Sequence, residues 1–337
     1  MGRKNGPRHG SMQVWPRKRS KKIIPSVNWR PIIENSSKIS NLSTPSQKSN
    51  ILGFICYKTG MASAFLKDNT PDSMTKGKRI IFPVTILECP NLKIFSIRFY
   101  KTKENENKRV IKEILSDNLD KELKRICKLP KNKINTKEEL EKIKEEDFDD
   151  VTVIAYSEPK EAHLKKTPNI IEIGLSGNKK EKLEFIKNNF NKALRITDFF
   201  QKGLIDAHGV TKGKGFQGPV KRFGIDLRSH KAEKGQRKPG SIGPWHPIGV
   251  SFRVARAGGM GNFSRIIYNL QIITSKKAED SALVKDRIFE GYGKINTDYI
   301  IIRGSIQGSP KTPILITNAS RPTKKQLKKN YEILELR

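Results

Sequence analysis

Ile80–Leu87 has the sequence IIFPVTIL, a short run rich in β-branched residues. A similar run, Ile94–Phe99 (IFSIRF), follows it after Pro90 and Asn91. Short β-branched and aromatic runs bounded by proline and asparagine favour strands. The last third of the chain returns to runs of this kind, so we predict further strands at Ile266–Ile273, Tyr299–Arg303 and Ile314–Thr317.

The segment Ile248–Ala255 (IGVSFRVA) alternates between apolar residues and small or polar ones. Its apolar residues occupy every second position from Ile248 to Val254, and Arg253 lies between two of them. A period of two predicts a strand whose apolar side chains point inward while Arg253 points outward.

The middle of the chain has a different period and a different charge. Thr136 and Glu139 form the pattern of a capping box, and strands are predicted at Val151–Tyr156 and Ile170–Leu175. Helical spacing recurs at Leu183, Ile186, Phe190 and Leu194. The segment Glu104–Glu161 contains 16 acidic and 13 basic residues, so the excess positive charge of the chain lies outside it. We therefore predict a separate, almost neutral α+β unit here.

Strands on both sides of an insertion, with no βαβ rhythm, predict a mainly β fold with an α+β insertion, in which both halves of the chain complete one closed antiparallel β-barrel. The predicted domains are a basic N-terminal extension (1–45), a first barrel part (46–102), the inserted α+β domain (103–200), a barrel strand with a long basic glycine-rich loop (201–265), and the closing barrel part with the C-terminal tail (266–337).

The charge of the chain points to a polyanionic partner. Its 337 residues include 67 Lys and Arg against 34 Asp and Glu, a formal net charge of +33. Self-repulsion of this size is relieved most simply by nucleic acid. No run approaches the roughly 18 apolar residues of a membrane-spanning helix, and the basic N-terminus does not have the pattern of a secretory signal. We expect no membrane partner.

Metal and cofactor sites are not predicted. Cys56, Cys89 and Cys127 form no C-x-x-C pair, and the histidines show no metal-ligand spacing. The cysteines are therefore interpreted as ordinary reduced thiols, as expected inside a cell.

Two basic segments contain few residues that could form a core. Residues 1–33 include no acidic residue, and Ile225, Leu227 and Ile242 are the only aliphatic side chains between Gly224 and Gly243. Neither segment is predicted to bury enough apolar area to offset the entropy of ordering its backbone. A long loop of this kind inside a compact domain is functional or disordered.

Gly213–Val220 (GKGFQGPV) matches the glycine loop of protein kinases, and its first six positions match the dinucleotide fingerprint. Neither enzyme interpretation agrees with its context, because the kinase motifs V-A-I-K, H-R-D and D-F-G do not follow and position 238 is Lys rather than an acidic ribose ligand. Glycines beside lysines also suit a sugar-phosphate backbone. A mobile linker with solvated charges is the alternative for this segment.

Several ordered blocks resemble one known family. They are VTKGKGFQGPVKRFG (Val210–Gly224), GSIGPWHP (Gly240–Pro247), RVARAGGMG (Arg253–Gly261) and GYGKINTDYIIIRGSIQG (Gly291–Gly308). Together they resemble the universal large-subunit ribosomal protein number three, the L-three family. Three further blocks are similar to its archaeal and eukaryotic branch, namely HGSMQVWPRKRSKK (His9–Lys22), LGFICYKTGM (Leu52–Met61) and the strand Val84–Leu87 before Glu88-Cys89-Pro90.

The resemblance implies a translation-type β-barrel with an inserted α+β domain, an N-terminal extension and a long loop that runs through rRNA toward the peptidyl transferase centre. It implies a cytoplasmic, ribosome-bound, non-catalytic protein that binds large-subunit rRNA early in assembly, contacts neighbouring large-subunit ribosomal proteins and has no small-molecule substrate. In relatives the tryptophan that corresponds to Trp245 lies close to the aminoacyl-tRNA site. The alternatives are a general basic RNA-binding chaperone and a nucleotide-binding enzyme that uses Gly213–Gly218.

Trp245 has almost no apolar neighbours in the sequence, which favours stacking on a base or ribose over a place in the core. Packing beside Ile248 is the alternative. No catalytic or metal-binding residue is predicted. The candidate RNA-binding residues are Arg3, Lys4, Arg8, His9, Trp15, Arg17, Lys18, Arg19, Lys21, Lys22, Lys212, Lys214, Lys221, Arg222, Arg228, His230, Lys231, Arg237, Lys238, Trp245, His246, Arg253, Arg256 and Arg265.

Overall fold

The structure is a computed structural model that describes residues 16–40, 51–102, 108–130, 136–143, 147–246, 248–277, 284 and 287–337. The chain divides into two compact units. The smaller unit contains Val210–Arg265 and the described residues of Met1–Ile23, and the larger unit contains Ile24–Gly209 and Ile266–Arg337.

The chain is mainly β, with short helices. The strands are β1 (Gly53–Asp68), β2 (Arg79–Glu88), β3 (Leu92–Lys101), β4 (Arg109–Leu115), β5 (Asp150–Ser157), β6 (Asn169–Gly174), β7 (Gly203–Val210), β8 (Phe216–Gln217), β9 (Gly258–Gly259), β10 (Ser264–Lys276), β11 (Tyr299–Arg303), β12 (Pro313–Asn318) and β13 (Tyr331–Leu336). The α-helices are α1 (Arg30–Ser40), α2 (Thr136–Glu141), α3 (Lys179–Asn189), α4 (Ile196–Phe199), α5 (Pro219–Phe223) and α6 (Lys324–Leu327), and Lys121–Arg125 forms a 3₁₀ helix.

Six strands form a closed order of pairing. The sequence of neighbours is β12-β7-β10-β11-β2-β1, and β12 also pairs with β1, which closes the ring. β13 pairs with the C-terminal half of β1. The predicted strands at Ile80–Leu87, Ile266–Ile273, Tyr299–Arg303 and Ile314–Thr317 are confirmed as β2, β10, β11 and β12.

β11 explains why some of these strands lack an alternating pattern. Ile300 and Ile302 belong to one apolar cluster, whereas Tyr299 and Ile301 belong to another. Both faces of β11 are therefore buried, and a strand that is buried on both faces has a continuous apolar sequence.

The second sheet of the larger unit has the order β4-β3-β5-β6. It confirms the strands predicted at Ile94–Phe99, Val151–Tyr156 and Ile170–Leu175. β3 lies within the segment 46–102 but pairs with β4 and β5 in this sheet.

Helix α3 confirms the helical spacing, since Ile186 and Phe190 are buried against the core, while the helix ends at Asn189 and Leu194 forms a bridge with Leu92 beyond it. The capping-box prediction was wrong in detail. Thr136 is itself the first residue of α2, and its N–H donates to Oδ1 of Asp117 at 3.1 Å.

The prediction that residues 1–33 bury little was wrong from Ile24 onward. Ile24 and Ile32 are buried, and the indole of Trp29 lies against two glycines of the larger unit. A Cβ placed on Gly53 would lie 2.7 Å from Cη2 of Trp29, and one on Gly174 would lie 3.0 Å from its Cγ. The indole thus packs directly on the backbone of two glycines. The number of apolar residues in the N-terminal segment does not reveal this packing, because it depends on residues elsewhere in the chain.

Cys56 and Cys89 are distant in sequence but adjacent in the fold. Tyr57 pairs with Glu88 in the β1–β2 register, which places the two thiols opposite each other. Their sulfur atoms are 2.9 Å apart and buried, and both cysteines are free. Burial raises the pKa of the Cys89 thiol well above its usual value, which keeps it protonated.

Within the described residues, no helix is long and apolar enough to cross a membrane.

Candidate nucleic-acid interface

The glycine-rich motif is one side of a paired ribbon in the smaller unit. Lys214 N–H donates to the Met260 carbonyl at 2.9 Å, and Met260 N–H donates to the Gly215 carbonyl at 2.9 Å. Phe216 pairs with Gly259 and Gln217 with Gly258. We call Thr211–Gln217 together with Gly258–Phe263 the glycine ribbon. These hydrogen bonds argue against the alternative of a mobile linker.

Gly261 shows why the ribbon needs glycine. Its φ is +85°, and a Cβ at this position would lie 2.1 Å from the Lys212 carbonyl oxygen and 2.8 Å from Cα of Gly213. The two chain segments therefore approach so closely that position 261 has no room for a side chain. Packing of backbone against backbone, rather than closure over a nucleotide, accounts for this glycine.

The motif continues into a helix that is too short for a dinucleotide site. α5 begins at Pro219, and Gly224 ends it after five residues in the left-handed conformation, with φ +68°. A Rossmann-type site requires a longer helix that packs on a parallel sheet. The local structure therefore agrees with the rejection of the dinucleotide interpretation.

Arg222 and Arg17 have internal partners. Arg222 donates to the carbonyls of Gly259 at 3.1 Å and Arg256 at 3.0 Å, so it connects α5 to the ribbon. Arg17 donates to the Arg222 carbonyl, and the guanidinium groups of both arginines lie over the Phe223 ring, at 4.8 and 5.0 Å from its centroid. These two predicted RNA ligands therefore also hold the smaller unit together.

The described part of the basic N-terminus lies beside the ribbon. Ser20 N–H donates to the Asn262 carbonyl at 2.7 Å, and the hydroxyl of Ser264 donates to that of Ser20 at 3.0 Å. The structure thus brings together two basic segments whose contacting residues are 244 positions apart in the chain.

Between Gly224 and Gly258 the described residues form no helix or strand and are mostly exposed. Arg228 donates through its guanidinium to the Pro239 carbonyl at 2.7 Å and through its N–H to the Gln236 carbonyl at 3.1 Å, which closes a loop. Trp245 is 77% exposed, in agreement with the expectation that it lies outside the core.

The strand predicted at Ile248–Ala255 was wrong. The segment forms turns and irregular structure, and Ile248 and Phe252 are 78% and 59% exposed. Alternation alone does not produce a strand, because a strand requires a partner for its backbone groups and a core for its apolar face. Trp245 and Ile248 are both mostly exposed, so the structure gives no support to the alternative that Trp245 packs in a core beside Ile248.

Basic residues far outnumber acidic residues in the smaller unit. Its described residues include 17 basic and two acidic ones, the latter being Asp226 and Glu233. Most predicted ligands are exposed there, namely Lys18, Arg19, Lys21, Lys22, Lys212, Lys214, Lys221, His230, Lys231, Arg237, Lys238, Trp245, His246, Arg253, Arg256 and Arg265, while Arg17, Arg222 and Arg228 are half-buried. Arg3, Lys4, Arg8, His9 and Trp15 lie outside the described residues.

Sequence reasoning missed one exposed aromatic residue in the ribbon. Phe216 is 78% exposed although its backbone is paired. The signal was present, because the phenylalanine is surrounded by glycines and lysines that offer it no apolar partner.

The larger unit holds a charged cluster that sequence reasoning also missed. Nζ of Lys93 lies 2.7 Å from the Glu158 carboxylate and 3.2 Å from that of Asp120, and the Tyr156 hydroxyl donates to Asp120 at 2.6 Å. Burial, together with a hydrogen bond to Asp120, raises the pKa of Glu158 to about 8. The described residues contain no cluster of three or more side chains able to hold a metal ion.

A concentration of basic residues on one unit is the electrostatic pattern of proteins that bind nucleic acid through its phosphate backbone. Comparison with known proteins narrows this class. The model of one family, ribosomal protein L3, matches residues 1–336.

Curated relatives match along the same length. The large ribosomal subunit protein uL3 of Methanocaldococcus jannaschii is 39% identical over 331 residues, which cover 96% of this chain and 94% of the relative. The uL3 proteins of Pyrobaculum aerophilum and Archaeoglobus fulgidus are 36% and 34% identical, and each alignment covers at least 93% of both chains. The chain belongs to the ribosomal protein L3 family.

Proposed function

We infer that this chain is a structural constituent of the large ribosomal subunit that binds rRNA and other ribosomal proteins in the cytoplasm. The observation that carries this function is the family match along the whole chain, with archaeal relatives at 34–39% identity. The family is structural and non-enzymatic, so the glycine motif has no catalytic role.

We propose that the smaller unit is the principal rRNA-binding surface. An excess of 15 positive charges on its described residues supports this proposal. The best candidates for phosphate contacts are exposed lysines such as Lys212 and Lys214 in the ribbon and Lys221 in α5. Arg222 contributes chiefly by holding the ribbon and Arg17 by holding α5, since their guanidinium groups already have internal partners.

The six-stranded ring supports a further proposal, that this part of the larger unit is the translation-type barrel of the family. The sheet β4-β3-β5-β6 with α3 then corresponds to the inserted α+β domain, which would begin with β3 rather than at residue 103. The segments 1–45 and 201–265 would supply the extension and the long loop.

We also propose that the segment around Trp245 reaches toward the peptidyl transferase centre and the aminoacyl-tRNA site. The exposure of Trp245 supports this, because an indole without a core needs a partner outside the chain. Trp245→Ala should leave large-subunit assembly intact and alter tRNA accommodation or translation accuracy. Loss of assembly with normal tRNA handling in the surviving particles would contradict the assignment.

Gradient sedimentation of a cell lysate after a high-salt wash tests the main function. Each phosphate contact contributes roughly 0.7–0.9 to the slope of log affinity against log salt, so a loosely adsorbed basic protein is released as salt rises. Retention at about one copy per large subunit, measured by mass spectrometry, is the expected result. Release into the soluble fraction would favour a general RNA chaperone instead.

A further inference from the structure

The ribbon holds one aromatic side chain in an unusual position. Phe216 is 78% exposed, yet its backbone is fixed by pairing with Gly259, and Gln217 next to it donates to the Lys214 carbonyl at 2.6 Å. An exposed aromatic ring that is held on an ordered backbone loses little entropy when it binds a partner. The position is thus prepared for a contact outside the chain.

The surroundings of Phe216 leave space for that contact. Gly259 lies opposite it, Gly215 precedes it and Gly218 follows two positions later. A Cβ placed on any of these three glycines would meet no atom within 4 Å. The ring therefore stands beside bare backbone, with room for a flat group to lie next to it.

The other phenylalanines of the smaller unit are in a different situation. The rings of Phe223, Phe252 and Phe263 each have an arginine guanidinium 4.8–5.6 Å from the centroid. Among the described residues, no arginine or lysine lies over the Phe216 ring within such a distance, and no aromatic ring packs on it. Its π face is available to a partner that the chain does not supply.

The charge around the ring selects the kind of partner. Lys212, Lys214 and Lys221 are exposed on either side of Phe216 in the sequence, and glycine backbone allows a phosphate to approach closely. An apolar protein surface would find no surrounding apolar side chains here that could exclude water from the contact. A nucleobase, by contrast, brings both a flat π face and the negative phosphates that the lysines attract.

We propose that Phe216 is a stacking platform for one unpaired base of large-subunit rRNA. The inference rests on the proposed function and adds to it one particular contact, which does not depend on the phosphate contacts proposed for the basic residues. Because every base has a π face, the site fixes the position of a nucleotide without selecting its identity.

The test uses the full chain and two substitutions at one position. Phe216→Leu keeps an apolar side chain but removes the ring, whereas Phe216→Tyr keeps the ring. Removing the stacking should weaken binding to purified large-subunit rRNA by roughly 5- to 150-fold, and the slope against salt should not change because no charge is lost. Phe216→Tyr should bind within about threefold of the unchanged chain, as should the matched control Phe252→Leu, whose ring is already covered by Arg253.

Ultraviolet crosslinking identifies the contact directly. Trypsin cleavage after Lys214 and Lys221 releases Gly215–Lys221, so the expected product is a nucleotide adduct on Phe216 in this peptide. Equal affinity of the Leu variant and the unchanged chain, or a crosslink from Phe216 to a protein, would overturn the stacking proposal while leaving rRNA binding in place. If the unchanged chain does not prefer its rRNA to unrelated RNA, the proposed function itself fails.

Discussion

Gly261→Ala should open the glycine ribbon. A Cβ at this position lies 2.1 Å from the Lys212 carbonyl oxygen and 2.9 Å from the Lys214 nitrogen, and both are backbone atoms that cannot rotate away. Relief requires the two segments to separate, which breaks the Lys214–Met260 and Met260–Gly215 hydrogen bonds. Each bond is worth about 0.5–1.5 kcal/mol, and the left-handed backbone of alanine costs about 1–2 kcal/mol more.

The sum is a loss of about 3 kcal/mol in the local free energy of opening, which corresponds to roughly 100-fold faster amide exchange. Hydrogen exchange of the Lys214 and Met260 amides measures it directly. Gly259→Ala is the matched control, because a Cβ there meets no atom within 4 Å and the residue has no positive φ. We expect this control to exchange like the unchanged chain. Unchanged protection in Gly261→Ala, or equal loss in both variants, would refute the argument that close backbone approach requires Gly261.

Three further predictions follow from the contacts. Arg222→Met should weaken rRNA binding because it loosens the ribbon, and the slope of log affinity against log salt should not change. Lys214→Met should instead reduce that slope by about 0.7–0.9. Salt titrations of binding measure both slopes, and an equal reduction in Arg222→Met would contradict the assignment. Trp29→Ala should lower the free energy of unfolding by about 2–4 kcal/mol. Gly53→Ala should also lower it in the unchanged chain, but should have almost no effect in the Trp29→Ala background. Additive effects of the two substitutions in denaturant unfolding would argue against the packing of Trp29 on Gly53. The pKa of Glu158 is about 8 in the folded chain and about 4.3 in the unfolded chain, so the folded state binds more protons between these two values. The free energy of unfolding should therefore fall as pH rises from about 4.3 to about 8. Glu158→Gln should flatten the pH dependence of thermal unfolding, and an unchanged profile would contradict the shift.

Much of the strand content could be predicted, because apolar runs are local signals. IIFPVTIL and YIIIR became strands within one or two residues of their predicted bounds. The segment Ile248–Ala255 shows the limit of such signals. It has the alternation of a strand but no partner strand and no core to cover it, so Ile248, Val250 and Phe252 remain exposed.

The candidate interface was predictable in composition and not in geometry. The sequence shows the lysines and glycines of GKGFQGPV, but not that they pair with Gly258–Met260 about 40 residues later. It marks Arg17 and Arg222 as basic, whereas their hydrogen bonds show that both stabilise the smaller unit. Charge and residue type do not single out Phe216, because its importance depends on what surrounds the ring in space.

The sequence by itself determined the charge, the class of partner and most of the strands, since these depend on residue type and local period. Tertiary structure alone decided which glycines are required, which arginines are internal and which aromatic ring is left open. Those properties depend on the distance between segments that are remote along the chain, such as Lys212 and Gly261, and no local pattern encodes such a distance. The same physical reason applies to Trp29, which has a place only because Gly53 and Gly174 leave one.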